Sequence, residues 1–374
     1  MSYGATQDDC DLDPSTREVS SSTGCTGELT TAKVSGTSTA FGTFVSDTYP
    51  LNDKTFLTAA ARFNQTTIAN RLTAYNNDGT VNAANSTDES FTYQKLNPSL
   101  GLTHQIGNQW TWFGNWAQSN RAPTILELGC ADSANPCALP TGLQSDPYLS
   151  QVVSQTLEGG LRWKNDRGDS FSVSAYQTIN HDDIVFMAVS TTTGYFDNFS
   201  KTQYLGLDVN AKKSWGEWRL NATYSYLQAT YEASASMLGA EREVSITPGT
   251  RMPGLPLHKL KIHVDWQATD QWVVGSSLIV ISSIVTQGNE DGYIGATEKG
   301  NAEVKGYTLL NLNTTYTVQK GFEVFGKILN VFDTRYETYG MLAVDNLSSA
   351  AQTLSKFVAP GAPRTYMVGL RYKF

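Results

Sequence analysis

The stretch "HKLKIHVDWQ" alternates strictly: Leu260, Ile262, Val264 and Trp266 fall on one side, Lys259, Lys261, His263 and Asp265 on the other. Period-two alternation is the pattern of a β-strand with two unlike faces. "YLGLDVNAKK" sets Leu205, Leu207 and Val209 against Gly206, Asp208, Asn210 and Lys212. The last segment sets Tyr366, Val368, Leu370 and Tyr372 against Met367, Gly369, Arg371 and Lys373, and ends on Phe374. Thirteen such strands are predicted: 38–49, 54–66, 92–105, 109–119, 154–164, 169–180, 200–213, 217–231, 258–267, 271–285, 306–318, 321–333 and 364–374.

The connections sort by length. Short turns with Gly, Asn or Asp are read at 50–53, 106–108, 164–169, 214–217, 268–271 and 318–321, as hairpin geometry requires. Long connections alternate with them: 67–91, 120–153, 181–199, 232–257, 286–305 and 334–363. Alternate connections of an antiparallel run lie at opposite ends, so one end carries turns and the other long loops. That asymmetry marks an outer-membrane barrel, with short periplasmic turns and longer external loops. Trp110, Trp112, Trp163, Trp215, Trp218, Trp266 and Trp272 gather near the short turns; Trp116 stands apart. Amphipathic rings collected at one level are what a membrane interface selects.

Composition narrows the reading. A net charge of −8 argues against a nucleic-acid partner, which needs a basic patch. With 17% charged and 11% aromatic residues the chain is not globally disordered. No apolar run is long enough for a membrane-spanning helix. The cysteines form two local pairs, Cys10 with Cys25 and Cys130 with Cys137. Even numbers at short spacing point to disulfides in an oxidising compartment, with four separate thiols as the alternative.

No arrangement for catalysis, metal binding or a cofactor stands out, and the chain is read as a non-enzyme with no cofactor. "HDD" at 181–183 reads as a polar loop start beyond a strand ending near Asn180. His104 and His263 read as polar-face residues without special role. Glu158, Arg162, Asp208, Lys212, Lys259, Lys261 and Asp265 fall on the polar face and would line the lumen of such a barrel.

The stretches "DTYPLNDKTFLTAAARFN", "KLNPSLGLTHQIGNQWTWFGNWAQSNRAPTILEL", "TLEGGLRWKN", "PGLPLHKLKIHVDWQ", "ILNVFDTRYETYG" and "PGAPRTYMVGLRYKF" together resemble the barrel of a TonB-dependent outer-membrane receptor, from about residue 40 to the end. "GCADSANPCALP" resembles a subgroup with a cysteine-clasped loop. The resemblance implies an all-β transmembrane antiparallel barrel in the outer membrane of a Gram-negative bacterium, of 22 strands around a plug. The thirteen strands are then the C-terminal part of that barrel. Residues 37–374 form this portion, and 1–36 are an external loop remnant with a cysteine pair. Neither a signal peptide nor a plug is recognisable, so a truncated receptor is expected. The implied function is TonB-energised import of a scarce nutrient, foremost a ferric siderophore; a passive channel of porin or hydrophobic-compound type is the alternative. Implied partners are outer-membrane lipid and lipopolysaccharide, the barrel-assembly machinery (through Phe374, Tyr372 and Leu370), a small-molecule metal chelate, and TonB through the plug. Tyr148, Tyr195, Phe196, Arg242 and Tyr293, aromatic or basic residues in the long connections, are the candidate ligand contacts.

Overall fold

A computed structural model describes residues 2–7, 30–75, 80–129, 131, 137–138, 149–188, 193–239, 242–294, 299–300, 302–345 and 353–373. Thirteen strands follow one another through a single antiparallel sheet: β1 (Thr30–Asn52), β2 (Thr55–Tyr75), β3 (Val81–Ile106), β4 (Trp110–Arg121), β5 (Val152–Lys164), β6 (Ser170–Ala188), β7 (Thr193–Trp215), β8 (Trp218–Tyr231), β9 (His258–Thr269), β10 (Trp272–Ile281), β11 (Tyr307–Gln319), β12 (Phe322–Leu329) and β13 (Thr365–Tyr372). Ser2–Gln7 adds a short strand along the far end of β1, pairing Ser2 with Ser35 and Gln7 with Thr30. Among the described residues the first and last strands are not paired with each other, so the barrel is open.

Register carries one face across the whole sheet. Directly opposed residues point the same way. Leu57 opposes Leu102, Leu102 opposes Gly114, and Gly114 opposes Gly159. The row continues through Ala175, Leu207, Tyr226 and His258. Lower down, Leu220, Val264, Ser276, Leu312, Ile328 and Tyr366 are successive partners. All these lie on the apolar face. The other face carries Glu158, Arg162, Asp208, Lys212, Lys259, Lys261 and Asp265, as the alternation predicted. Leu370 and Val368 are 68% and 81% exposed, a cost of burial left unrecovered in water and removed in lipid.

The tryptophans mark the short-turn end. Trp110 and Trp163 oppose each other with ring centroids 6.4 Å apart, and Trp218 stacks on Trp266 at 5.7 Å. Trp163 Nε1 donates to Gln109 Oε1 (3.0 Å) and Trp272 Nε1 to Thr314 Oγ1 (2.7 Å). His104 departs from expectation. It opposes Trp112 and Thr55, so it sits on the apolar face within this girdle, its Nδ1 2.8 Å from Thr55 Oγ1. The parity that places Leu102 outside places His104 there too. His263 is on the polar face as expected, between Ser277 Oγ (2.8 Å) and Asp265 Oδ1 (3.0 Å).

Element lengths depart more widely. Several strands run well past the predicted ends: β2 to Tyr75, β3 from Val81, β6 to Ala188 and β7 from Thr193. The connections 67–91 and 181–199 are thus largely tall hairpins. Above a membrane both faces of a hairpin meet water, so pairing continues where alternation stops. "HDD" lies inside β6, with Asp182 at φ 54° and its carbonyl accepting from Asn198 Nδ2 at 2.8 Å. The opposite error occurs at Ile281 and Leu329, where the strands stop short of 285 and 333 because the chain turns inward.

The turn between β5 and β6 is built on two carboxyl contacts. Asp169 Oδ1 accepts the Ser214 N–H at 2.8 Å and Oδ2 accepts from Asn165 Nδ2 at 3.0 Å. The Ser214 N–H first, then the Asn165 amide, with Lys213 and Arg167 nearby, hold the Asp169 carboxyl below its ordinary value. A depressed carboxylate stabilises the fold fully above its unfolded value of 3.8 and loses that contribution as pH falls through the folded value. Asp169→Asn should therefore lower the melting temperature at pH 7 and flatten its decline below pH 3.8. An unchanged acid limb in a thermal melt from pH 7 to 2.5 would refute this.

Candidate functional site: the lumen wall and its loop-end mouth

The polar face is the inside, because the connections fold onto it. After Arg121 the chain forms a one-turn helix, α1 (Ile125–Leu128). Thr124 caps it: its Oγ1 accepts the Glu127 N–H at 3.2 Å, and Glu127 Oε2 accepts the Thr124 N–H at 2.6 Å. This reciprocal capping box is the signal that "TILE" at 124–127 carries for a helix start. Glu127 also holds Arg121 Nη1 at 2.8 Å. The capped turn drives Ile125 and Leu128 into Val34, Ile68, Leu72 and Tyr93, all on the polar face of β1–β3. Tyr93 Oη donates to Leu149 O at 2.9 Å, tying the far end of the same connection to the wall.

Beside this cluster lies an amide network. Asn120 Oδ1 accepts from Asn64 Nδ2 (2.9 Å) and Asn97 Nδ2 (2.6 Å), while its Nδ2 donates to Gln151 Oε1 (2.9 Å). Arg62 Nε donates to Asn64 Oδ1 at 2.7 Å. The network bridges the split where β4 leaves β3 above Ala117. Asn97 Oδ1 is buried without a partner among the described residues, an acceptor that calls for a donor from water or ligand.

A second inward fold spans 282–306. Ile284 and Val304 pair and lie buried over the wall with Leu309. Asn289 organises its tip, donating to Tyr293 O (2.8 Å) and Gly300 O (3.1 Å) and accepting from the Ala302 N–H (2.9 Å). Thr286 Oγ1 bonds Ala302 O. Among the described residues, no group of three or more acids, histidines and cysteines is set to hold a metal.

Lower on the lumen face, rings lie flat on glycines of the neighbouring strand. The opposed pairs are Phe113 with Gly160, Tyr176 with Gly206 and Phe325 with Gly369. Arg162 stacks over Phe113 at 4.0 Å and Arg371 over Phe325 at 5.6 Å. Arg371 also pairs with Glu323 at 3.1 Å. The wall is therefore charged yet smooth.

The candidate ligand residues are spread over separate connections. Tyr195 and Phe196 lie at the tip of the β6–β7 hairpin. Phe196 meets Phe186 edge-on at 5.1 Å and packs against the α1 cluster. Tyr293 pairs with Lys299, whose Nζ is 5.7 Å from the ring, in the 282–306 fold. Arg242 opens a hairpin, Ala235–Gly239 with Arg242–Ile246, that meets the same fold through the Ser245 N–H and Asp291 Oδ2 at 3.2 Å. Tyr148, Cys10, Cys25, Cys130 and Phe374 lie outside the described residues; Cys137 forms a short strand with Ala138 against Gly194 and Thr193 of β7. Tyr372 and Leu370 sit on the apolar face, Tyr372 opposite Phe322.

Comparison with known proteins agrees with this geometry. The chain spans about half the length of the relatives it matches. It is 24% identical to the ferrienterobactin receptor of Escherichia coli K12, over 96% of this chain and 47% of that protein. The siderophore receptor PiuA of Acinetobacter baumannii superposes with TM-score 0.67 at 15% identity, covering 92% of this chain and 44% of that one. The ferric yersiniabactin uptake receptor FyuA of Yersinia pestis gives 0.66 at 14%, covering 92% and 47%. The family model described as "TonB dependent receptor-like, beta-barrel" matches residues 2–331, and with its lipid-ready outer face and polar lumen the chain belongs to that family of outer-membrane barrels.

Proposed function

We propose that residues 37–374 are the C-terminal portion of a receptor barrel that imports a ferric siderophore with energy from TonB. Residues 1–36 belong to an external loop. The observation that carries this reading is the single apolar face kept in register through thirteen strands, backed by a charged opposite wall. Such a wall needs no chemistry of its own: it holds a polar plug on the inside and lipid on the outside. Ligand would be met at the mouth, by Tyr195, Phe196, Arg242, Tyr293 and Tyr148, whose rings and guanidinium suit an anionic aromatic or hydroxamate chelate. Cys130 with Cys137 and Cys10 with Cys25 would clasp external segments as disulfides. Phe374, Tyr372 and Leu370 would serve assembly into the membrane.

The test is uptake in a receptor-deficient, iron-limited Gram-negative strain expressing the full-length gene. Radiolabelled iron is supplied as a catecholate or a hydroxamate complex, with and without TonB. We expect one chelate class to enter only with TonB, and entry to fall at least tenfold when Arg242 and Tyr293 are both replaced by alanine. TonB-independent entry of unrelated small solutes would instead establish a passive channel.

A further inference from the structure

Three side chains on the lumen face form a proton relay. His263 of β9 stands between Ser277 of β10 and Asp265, with Ser277 Oγ 2.8 Å from Nδ1 and Asp265 Oδ1 3.0 Å from Nε2. A carboxylate only accepts, so Nε2 carries its proton toward Asp265. Nδ1 is then bare and accepts from the Ser277 hydroxyl. Hydroxyl, imidazole and carboxylate in that order are the parts of an activated serine nucleophile. The sheet itself sets the order: Ser277 and His263 are directly opposed, and His263 and Asp265 share a face two residues apart. The His263 side chain is 36% exposed and that of Asp265 26%, so water reaches the relay.

An activated serine also needs a donor for the oxyanion and a seat for the substrate. Asn311 faces Ser277 from β11. Its Oδ1 accepts the Asn330 N–H at 2.8 Å on the far side, which turns its Nδ2 the other way, toward Ser277. One step nearer the mouth, the row Lys261, Ile279 and Leu309 follows the row His263, Ser277 and Asn311. Those three residues line a cavity of about 410 Å³, bounded above by Ile284 and Val304 of the inward fold. Lys259 and Lys305 also border it, while the acid on its rim, Glu337, is held by Lys356 at 3.3 Å. Floor and roof are apolar, and the remaining charges are positive. Such a seat fits an apolar chain or ring that bears an anionic group.

We propose that Ser277 and His263, positioned by Asp265, hydrolyse a carboxylic ester in the lumen, one whose apolar acyl arm ends in an anion. Ser277 Oγ bonds to the ester carbonyl carbon as its proton passes to His263 Nδ1, and Asn311 Nδ2 donates to the carbonyl oxygen as it gains charge. The carbon–oxygen bond of the ester then breaks, and the alcohol leaves with the proton from His263. Water attacks the acyl-serine and yields its own proton to His263, which returns it to Ser277. The net change is ester plus water to acid plus alcohol. The proposal does not depend on which nutrient the barrel carries.

The experiment treats the full-length receptor in detergent with a fluorophosphonate and maps the adduct by peptide mass spectrometry. Untreated protein is assayed for release of 4-nitrophenol from mono-4-nitrophenyl adipate and from 4-nitrophenyl hexanoate. The expected results are an adduct on Ser277 and repeated turnover, slower by at least about tenfold in Ser277→Ala and in His263→Ala. The adipate ester should be preferred, and Lys259→Ala with Lys261→Ala should remove the preference. Asp265→Asn should lower kcat with KM unchanged, and Asp265→Glu should restore part of it, as a purely structural carboxylate would not. If Ser277→Ala yields no folded barrel, wild-type protein already blocked by the fluorophosphonate takes its place. No adduct on Ser277, or equal turnover by blocked and unblocked protein, would overturn the proposal.

Discussion

Arginine in place of Val209 should destabilise the barrel by about 2–4 kcal/mol, while arginine at the next residue, Asn210, should change stability by less than about 1 kcal/mol. The two positions share a strand, a depth and a solvent history up to one peptide unit. Val209 opposes Val173 and Tyr224 on the apolar face; Asn210 opposes Ser172 and Thr223 on the polar face and is exposed. Val209 lies six residues above the Trp215 turn, about 16 Å up the wall, near the bilayer centre, where a guanidinium must stay desolvated or drag water inward. At Asn210 the same group reaches an aqueous lumen. The measurement is denaturant unfolding of the refolded protein in bilayers, with folding followed by tryptophan fluorescence. Equal costs at both positions would mean that both faces see the same medium, and the barrel assignment would fail.

What the sequence disclosed follows from this same contrast of media. Alternation is imposed only where lipid lies on one side and water on the other, so the strands were readable between girdle and rim. Their extension to Tyr75 and from Val81 was unreadable, because Thr, Asn and Ala on both faces of a hairpin in water carry no period. His104 has the parity of Leu102, so position rather than polarity sets its face, at an interface where a histidine is tolerated. The mouth was the least legible region. Its α1 turn rests on a four-residue capping box, and the Asn64–Asn97–Asn120–Gln151 network joins residues from three strands and the residue that precedes β5. Aromatic and basic residue types nominated Tyr293 and Arg242 individually. The contact between the Ser245 N–H and Asp291 brings their two segments together.

The lumen's flat rings yield the second large effect. Gly206 faces Tyr176 directly, and a Cβ there would fall inside contact distance of the tyrosine ring. Gly160 is similar: its Cβ would lie 2.8 Å from Phe113. An aromatic laid across a glycine restores the packing that the glycine's missing side chain forfeits, and it keeps the ring against the wall instead of in the lumen. Gly206→Val should therefore cost about 1–3 kcal/mol through overpacking. Tyr176→Ala should relieve that cost, so the pair should show a coupling of at least about 1 kcal/mol in a double-mutant cycle. Gly159, on the opposite face one residue away from Gly160, provides the contrast: its Cβ would meet only Phe113 O at 3.7 Å, and Gly159→Ala should be nearly neutral. The cycle is read from the same bilayer unfolding midpoints. If Gly206→Val and Tyr176→Ala simply add, the ring does not rest on the glycine.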